Sequence, residues 1–148
     1  MQLILGLSHD DFIAKSENDK MEWLKDDKKI FKLLSSTNQG ICLISNKSGK
    51  LIKNLPGRSL YKLSKSTFNL DEAFQTFPNA NLLGGQILAK EAILKNYVSD
   101  IFLTKIQLKI NSGIKFNLYP LINENFSLIR TFNIEKIKIF HWKLNIYK

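Results

Sequence analysis

Cysteine is nearly absent from the sequence: Cys42 stands alone. A single cysteine excludes an internal disulfide and any metal site built from several thiolates, and it fits a reducing compartment such as the cytoplasm. Proline is scarce, at three residues, and arginine scarcer still, with only Arg58 and Arg130. Long apolar runs are missing too. None reaches the roughly 18 residues that a membrane-spanning helix needs, so no membrane partner is expected. The opening MQLILGLSHDD has no basic leader and reads as a first strand rather than a secretory signal. There are no repeats, low-complexity tracts or linkers, so residues 1–148 are expected to form a single domain.

What the chain has in excess is lysine. Lys and Arg number 22 against 13 Asp and Glu, a net charge of +9. The lysines are scattered, whereas a nucleic-acid surface clusters its cations and interleaves aromatics. Nucleic acid is therefore not the expected partner; the positive field favours anionic small ligands. His9 has no second His or Cys at metal-ligand spacing and reads as a solvated loop residue, so no metal is expected.

The stretch 79–94, NANLLGGQILAKEAIL, organises the rest. Leu82-Leu83 leads into Gly84-Gly85, and Ile87, Leu88, Glu91, Ala92 and Lys95 follow at helical spacings. That pattern is strand, tight turn, helix. Glycine lets another molecule approach the backbone, and the N–H groups opening the helix suit a pyrophosphate. Residues 2–7, 40–44, 59–63 and 101–106 read as further strands. Asn69 with Glu72 forms a capping box that opens a short helix, stopped by Pro78. Residues 21–35, MEWLKDDKKIFKLLS, predict a helix with Trp23, Asp27, Ile30, Phe31 and Leu34 on one face. Asp27 then sits inside an apolar stripe. A carboxylate there is costly unless paired and often marks a site, although the charge run around it also suits a solvated face. From Gln107 onward apolar residues alternate (Leu108 and Ile110, Phe126 and Leu128, Ile137 and Ile139, Trp142 and Leu144), which predicts antiparallel strands to the end. The expected class is α/β: a mixed, mainly parallel sheet with flanking helices and a C-terminal antiparallel hairpin.

In this order the features resemble the dihydrofolate reductase family over nearly the whole chain. The residues that carry the resemblance are QLILGL, Met21-Glu22-Trp23, Asp27 with Phe31-Lys32, Leu55-Pro56-Gly57-Arg58, Leu63-Ser64, Leu83-Gly84-Gly85 and Phe102-Leu103-Thr104. The resemblance implies a single-domain dihydrofolate-reductase-like fold and roles for these positions. Asp27 is the implied catalytic carboxylate, bonded by Thr104. Phe31 is implied to pack on the substrate's aminobenzoyl ring and Arg58 to hold its glutamate carboxylate, a pairing that guanidinium geometry suits. Ile4, Leu5, Leu55 and Leu83 complete the implied substrate site. The implied cofactor is NADPH. Gly84, Gly85, Gln86 and Ile87 would lie under its pyrophosphate. Leu63, Ser64 and Lys65 would take the adenosine end, with Ser45, Asn46 and Lys47 on the neighbouring strand end. Gly6, Ile13 and Trp23 would border the nicotinamide, and Met21 lies on the implied closing loop.

The implied activity is reduction of 7,8-dihydrofolate to tetrahydrofolate by a monomer that also binds antifolates. The sequence departs from the family pattern at Glu22, where proline is usual, and at Ala14, where glycine is common. Over residues 44–48 the family's phosphate-binding arginine has no counterpart, and Lys47 supplies only a point charge. Three alternatives stay open on sequence: a riboflavin-pathway reductase of the same fold, a relative that has lost catalysis and serves as a binding or structural protein, and a nucleic-acid module.

Overall fold

How apolar a strand is on both faces decides where it lies in the sheet. The structure is a computed structural model, and it describes residues 1–17, 19–46 and 55–146, with only the backbone of Glu22, Lys25 and Asp26. Nine strands are described: β1 (Gln2–Leu7), β2 (Phe12–Ala14), β3 (Ile41–Ser45), β4 (Ser59–Leu63), β5 (Asn81–Leu82), β6 (Asp100–Lys105), β7 (Ile114–Lys115), β8 (Phe126–Ile134) and β9 (Ile137–Leu144). Helices α1 (Lys28–Ser35), α2 (Leu70–Thr76), α3 (Gln86–Leu94) and α4 (Tyr119–Asn125) accompany them. Among the described residues seven strands make one sheet in the order β4-β3-β5-β1-β6-β9-β8, and β2 pairs with β7 in a separate ribbon. The strands from β4 to β6 in that order are parallel, while β9 and β8 close the sheet as an antiparallel hairpin. Strands β1, β3 and β6 are buried along most of their length and lie inside the sheet, covered on both faces. Strands β4 and β8 are largely exposed and take the edges.

Two layers cover the sheet. On one face Leu3, Leu5 and Leu7 of β1 pack with Leu70 and Ala73 of α2, Ala89, Ala92 and Ile93 of α3, and Ile122 of α4. On the other face lies α1, with Ile30 against Phe102 and Ile139, and Phe31 and Leu34 against Ile4, Ile44 and Leu83. The alternation of Leu3, Ile4 and Leu5 between these layers follows from the two-residue period of a strand. No described helix is long and apolar enough to cross a membrane.

Three expectations need correction. The helix expected over residues 21–35 is α-helical only from Lys28; before it Glu22–Asp27 winds as a 3-10 segment broken at Leu24. Asp19 explains the irregular entry, because its carboxylate accepts hydrogen bonds from Lys15 N, Met21 N and Trp23 Nε1 and ties this turn to the preceding loop. The alternation at Leu108 and Ile110 does not make a strand, because the Asp10 carboxylate takes the N–H groups of Ile110 and Asn111 that a ladder would need. Helix α4 interrupts what the alternation presented as strands alone; a seven-residue helix with proline in its first turn is too short to show a helical period.

Candidate active site

In an open α/β sheet a ligand binds beyond the carboxyl ends of the strands, where the chain reverses its direction of winding. Here the chain runs from β1 outward to β3 and β4, returns at β5, then crosses to β6 on the other side of β1. The reversal falls between β5 and β1, so the crevice opens at Gly6 and at Leu83-Gly84-Gly85.

Asp27 lies against this opening. It is 5 % exposed, and its Oδ1 is buried without a hydrogen-bond partner among the described residues. A Cβ placed on Gly6 would come within 3.1 Å of Asp27 Oδ2, 3.2 Å of Leu24 Cδ1 and 3.3 Å of Thr104 Oγ1. Glycine at residue 6 is therefore what lets the first helix, β1 and β6 converge on one carboxyl group. The register puts Gly6 directly opposite Thr104. Burial pushes the Asp27 carboxyl up to about 6, and a hydrogen bond from Thr104 opposes the rise. The Thr104 hydroxyl has a second acceptor in Leu5 O at 3.4 Å.

A second group lines the same face of the sheet. Ile4 and Leu83 are buried together with Ile44, and Phe31 and Leu55 pack against them. The Arg58 guanidinium lies 5.9 Å from the Phe31 ring centroid, half-buried, donating from Nη1 to Ser35 Oγ at 2.8 Å and from Nε to Pro56 O at 3.3 Å. Phe31 and Arg58 thus lie beside the apolar cluster of Ile4, Ile44 and Leu83, with Asp27 one helical turn before Phe31.

At the diglycine turn Gly84 is buried and Gly85 exposed. A Cβ on Gly84 would stand 3.5 Å from Ser45 N, and one on Gly85 would meet nothing within 4 Å. Gly85 caps α3 without a side-chain cap, and the backbone N–H groups of a helix's first turn suit an anion. Gln86 turns its side chain away from this opening, donating to Lys115 O and accepting from Asn117 N, while Ile87 is 87 % exposed. Beyond β4, Ser64 Oγ lies 2.6 Å from Thr67 Oγ1 and accepts from Thr67 N, with Lys65 exposed beside it. This hydroxyl cluster with a cation also suits a phosphate.

Some expected positions lie elsewhere. Leu5 and Leu63 are buried in the main core on the opposite face, and Ile13 packs against that core. Trp23 packs with Ile30 and Phe102. Asn46 is exposed, and Lys47 lies outside the described residues. Met21 has a positive φ of 59° and donates its N–H to Asp19. Two site residues have no counterpart in the sequence reading. Leu24, which walls Asp27, is announced by no signal, because the 3-10 winding takes it off the helical period. Ser35 was in principle legible, eight residues after Asp27 and four after Phe31 on the same face.

By sequence the chain matches no family model and no curated protein. Its fold is similar to solved structures. A dihydrofolate reductase from Enterococcus faecalis, complexed with NADP(H) and RAB-propyl, aligns at 16% identity and a TM-score of 0.75, over 97% of this chain and 95% of that one. A riboflavin biosynthesis protein from Shewanella sp. PV-4 aligns at 11% identity and a TM-score of 0.68, over 97% of this chain and 98% of that one. At these identities the likeness is one of architecture: the chain has the dihydrofolate-reductase-like fold.

Proposed function

We propose that the chain reduces 7,8-dihydrofolate to tetrahydrofolate with NADPH, adding hydride at C6 and a proton at N5. The observation that carries this reading is Asp27: a buried carboxyl with one oxygen unpartnered among the described residues, at the carboxyl edge of the sheet, one helical turn before a phenylalanine that carries an arginine over its ring. A reduced pterin has adjacent ring N–H and exocyclic N–H donors, and these would satisfy the orphaned oxygen. A carboxyl pushed up to about 6 is charged at neutral pH, yet it takes a proton at small cost. It thereby supports protonation at N5, for which the groove holds no second buried acid among the described residues. Phe31 and Leu55 would flank the aminobenzoyl ring, and Arg58 would hold a glutamate carboxylate.

NADPH fits the residues present, and when bound it supplies the hydride. The diglycine turn and the start of α3 would hold its pyrophosphate. Ser64 and Lys65 would hold the 2′-phosphate, and Gly6 would border the nicotinamide. The apolar groove would exclude water from the reacting rings.

The test is the near-ultraviolet absorbance of NADPH on mixing with dihydrofolate. The expected result is a loss of absorbance that an antifolate stops. A chain that oxidises no NADPH and binds no antifolate by calorimetry is a non-catalytic relative instead. A second reading, a reductase of riboflavin synthesis, is supported by the likeness to the Shewanella protein; a pyrimidine substrate that drives NADPH oxidation where dihydrofolate does not would establish it.

A further inference from the structure

Ser35 is wholly buried at the end of α1, and its hydroxyl has a fixed direction. It donates to Phe31 O at 2.6 Å and accepts from Arg58 Nη1 at 2.8 Å. Its carbonyl accepts from Asn81 Nδ2 at 3.0 Å, and Asn81 is itself wholly buried in β5 and donates also to Thr37 O. Asn81 thus ties the end of α1 to the sheet, and Ser35 carries that constraint to the guanidinium. Gly40 completes the seat. It has a φ of +69°, and a Cβ there would stand 3.4 Å from both Arg58 Cα and Gly57 O. Of the five N–H bonds of Arg58, one goes to Ser35 and one to Pro56 O. Two anchors on different nitrogens fix the plane of the guanidinium.

We propose that Ser35 is a positioning residue, held by Asn81, that orients Arg58 so that its remaining N–H groups take a ligand carboxylate at the rim of the groove. The inference rests on the reductase reading, because that reading supplies the carboxylate. A guanidinium gains from a carboxylate through two parallel bonds, which require a fixed plane. Without the Ser35 acceptor the plane is free to rotate, and the carboxylate loses its fork. Ligands without a carboxylate never used the fork and should not respond.

The experiment compares two antifolates by calorimetry: methotrexate, which carries a glutamate, and a diaminopyrimidine with no carboxylate. Ser35→Ala should weaken methotrexate by about tenfold, the size of one charge-assisted hydrogen bond, and leave the diaminopyrimidine within about twofold. Ser35→Thr keeps the hydroxyl and should restore methotrexate. Ser35→Cys keeps the volume but offers only a weak acceptor, so it should repeat the alanine result even where the smaller side chain unfolds the protein. Equal effects on both ligands, or none on either, would overturn the positioning role while the reductase reading stands. A wild-type chain that binds neither ligand overturns the reductase reading itself and this inference with it.

Discussion

A carboxyl group that is 5 % exposed, with an oxygen that has no partner among the described residues, works against folding whenever it is charged. The sign follows from the shift. Asp27 titrates at about 6 in the folded chain against 3.8 in the unfolded one, so between those values the native state holds the proton more tightly. Its contribution to stability is fully present below pH 3.8 and is lost as pH rises through 6. At neutral pH the penalty is of order 3 kcal/mol. Asp27→Asn should therefore raise neutral-pH stability by about 1–3 kcal/mol in urea melts, with the gain vanishing near pH 4, while turnover falls by about 10²-fold or more. A variant that is no more stable than wild type at neutral pH would mean the carboxyl is better solvated than its surroundings indicate. Gly6→Ala probes the other side of the same contact. A Cβ 3.1 Å from Asp27 Oδ2 and 3.2 Å from Leu24 Cδ1 overpacks the convergence, and a loss of about 1–3 kcal/mol in urea midpoint is expected. Asp27 was legible in the sequence because helical spacing alone puts it among Trp23, Ile30 and Phe31. The importance of Gly6 was not, because its crowding arises from the β1–β6 register, between residues about a hundred positions apart.

At the scale of elements, legibility tracked how local the stabilising pattern is. Strand β4 falls at its expected bounds because turn residues stand at both ends, and β1 ends as expected before the polar Ser8-His9-Asp10. Helix α2 follows its capping box, with Asn69 Oδ1 accepting from Glu72 N at 2.9 Å. The short ribbon of β2 and β7 had no comparable signal, since three residues pair with two a hundred positions later. What holds that ribbon is a close approach that only glycine permits. Gly113 has a φ of +138°, and a Cβ there would lie 2.3 Å from Ala14 O and 2.9 Å from Lys15 Cα. Gly113→Ala combines backbone strain with a clash against backbone, so it should destabilise by about 2–4 kcal/mol. The measurement is the urea midpoint with the slope compared as well. A midpoint unchanged from wild type would mean that β7 does not rest on β2 in solution.

For the whole molecule, the sheet is assembled from segments far apart in sequence: β1 lies between β5 and β6, near residues 81 and 100. Strand order of this kind is invisible to periodicity, which reports only which face of each segment is apolar. The resemblance to a reductase supplied the arrangement, and the fold bears it out. Net charge, in contrast, is a property of the whole chain that the sequence states directly: +9, from scattered lysines. Lys28, Lys29 and Lys32 are exposed on α1, and Lys65 is exposed just beyond β4. Such a field should raise the encounter rate and affinity of polyanionic ligands without changing the chemical step. Screening gives the test. Between about 0.05 M and 0.5 M salt the Debye length falls from roughly 14 Å to 4 Å, so KM for NADPH should rise about three- to tenfold while kcat stays within about twofold. A KM indifferent to salt would assign the positive charge to solubility rather than ligand capture, and a kcat that fell in step with it would place the charge in the reaction itself.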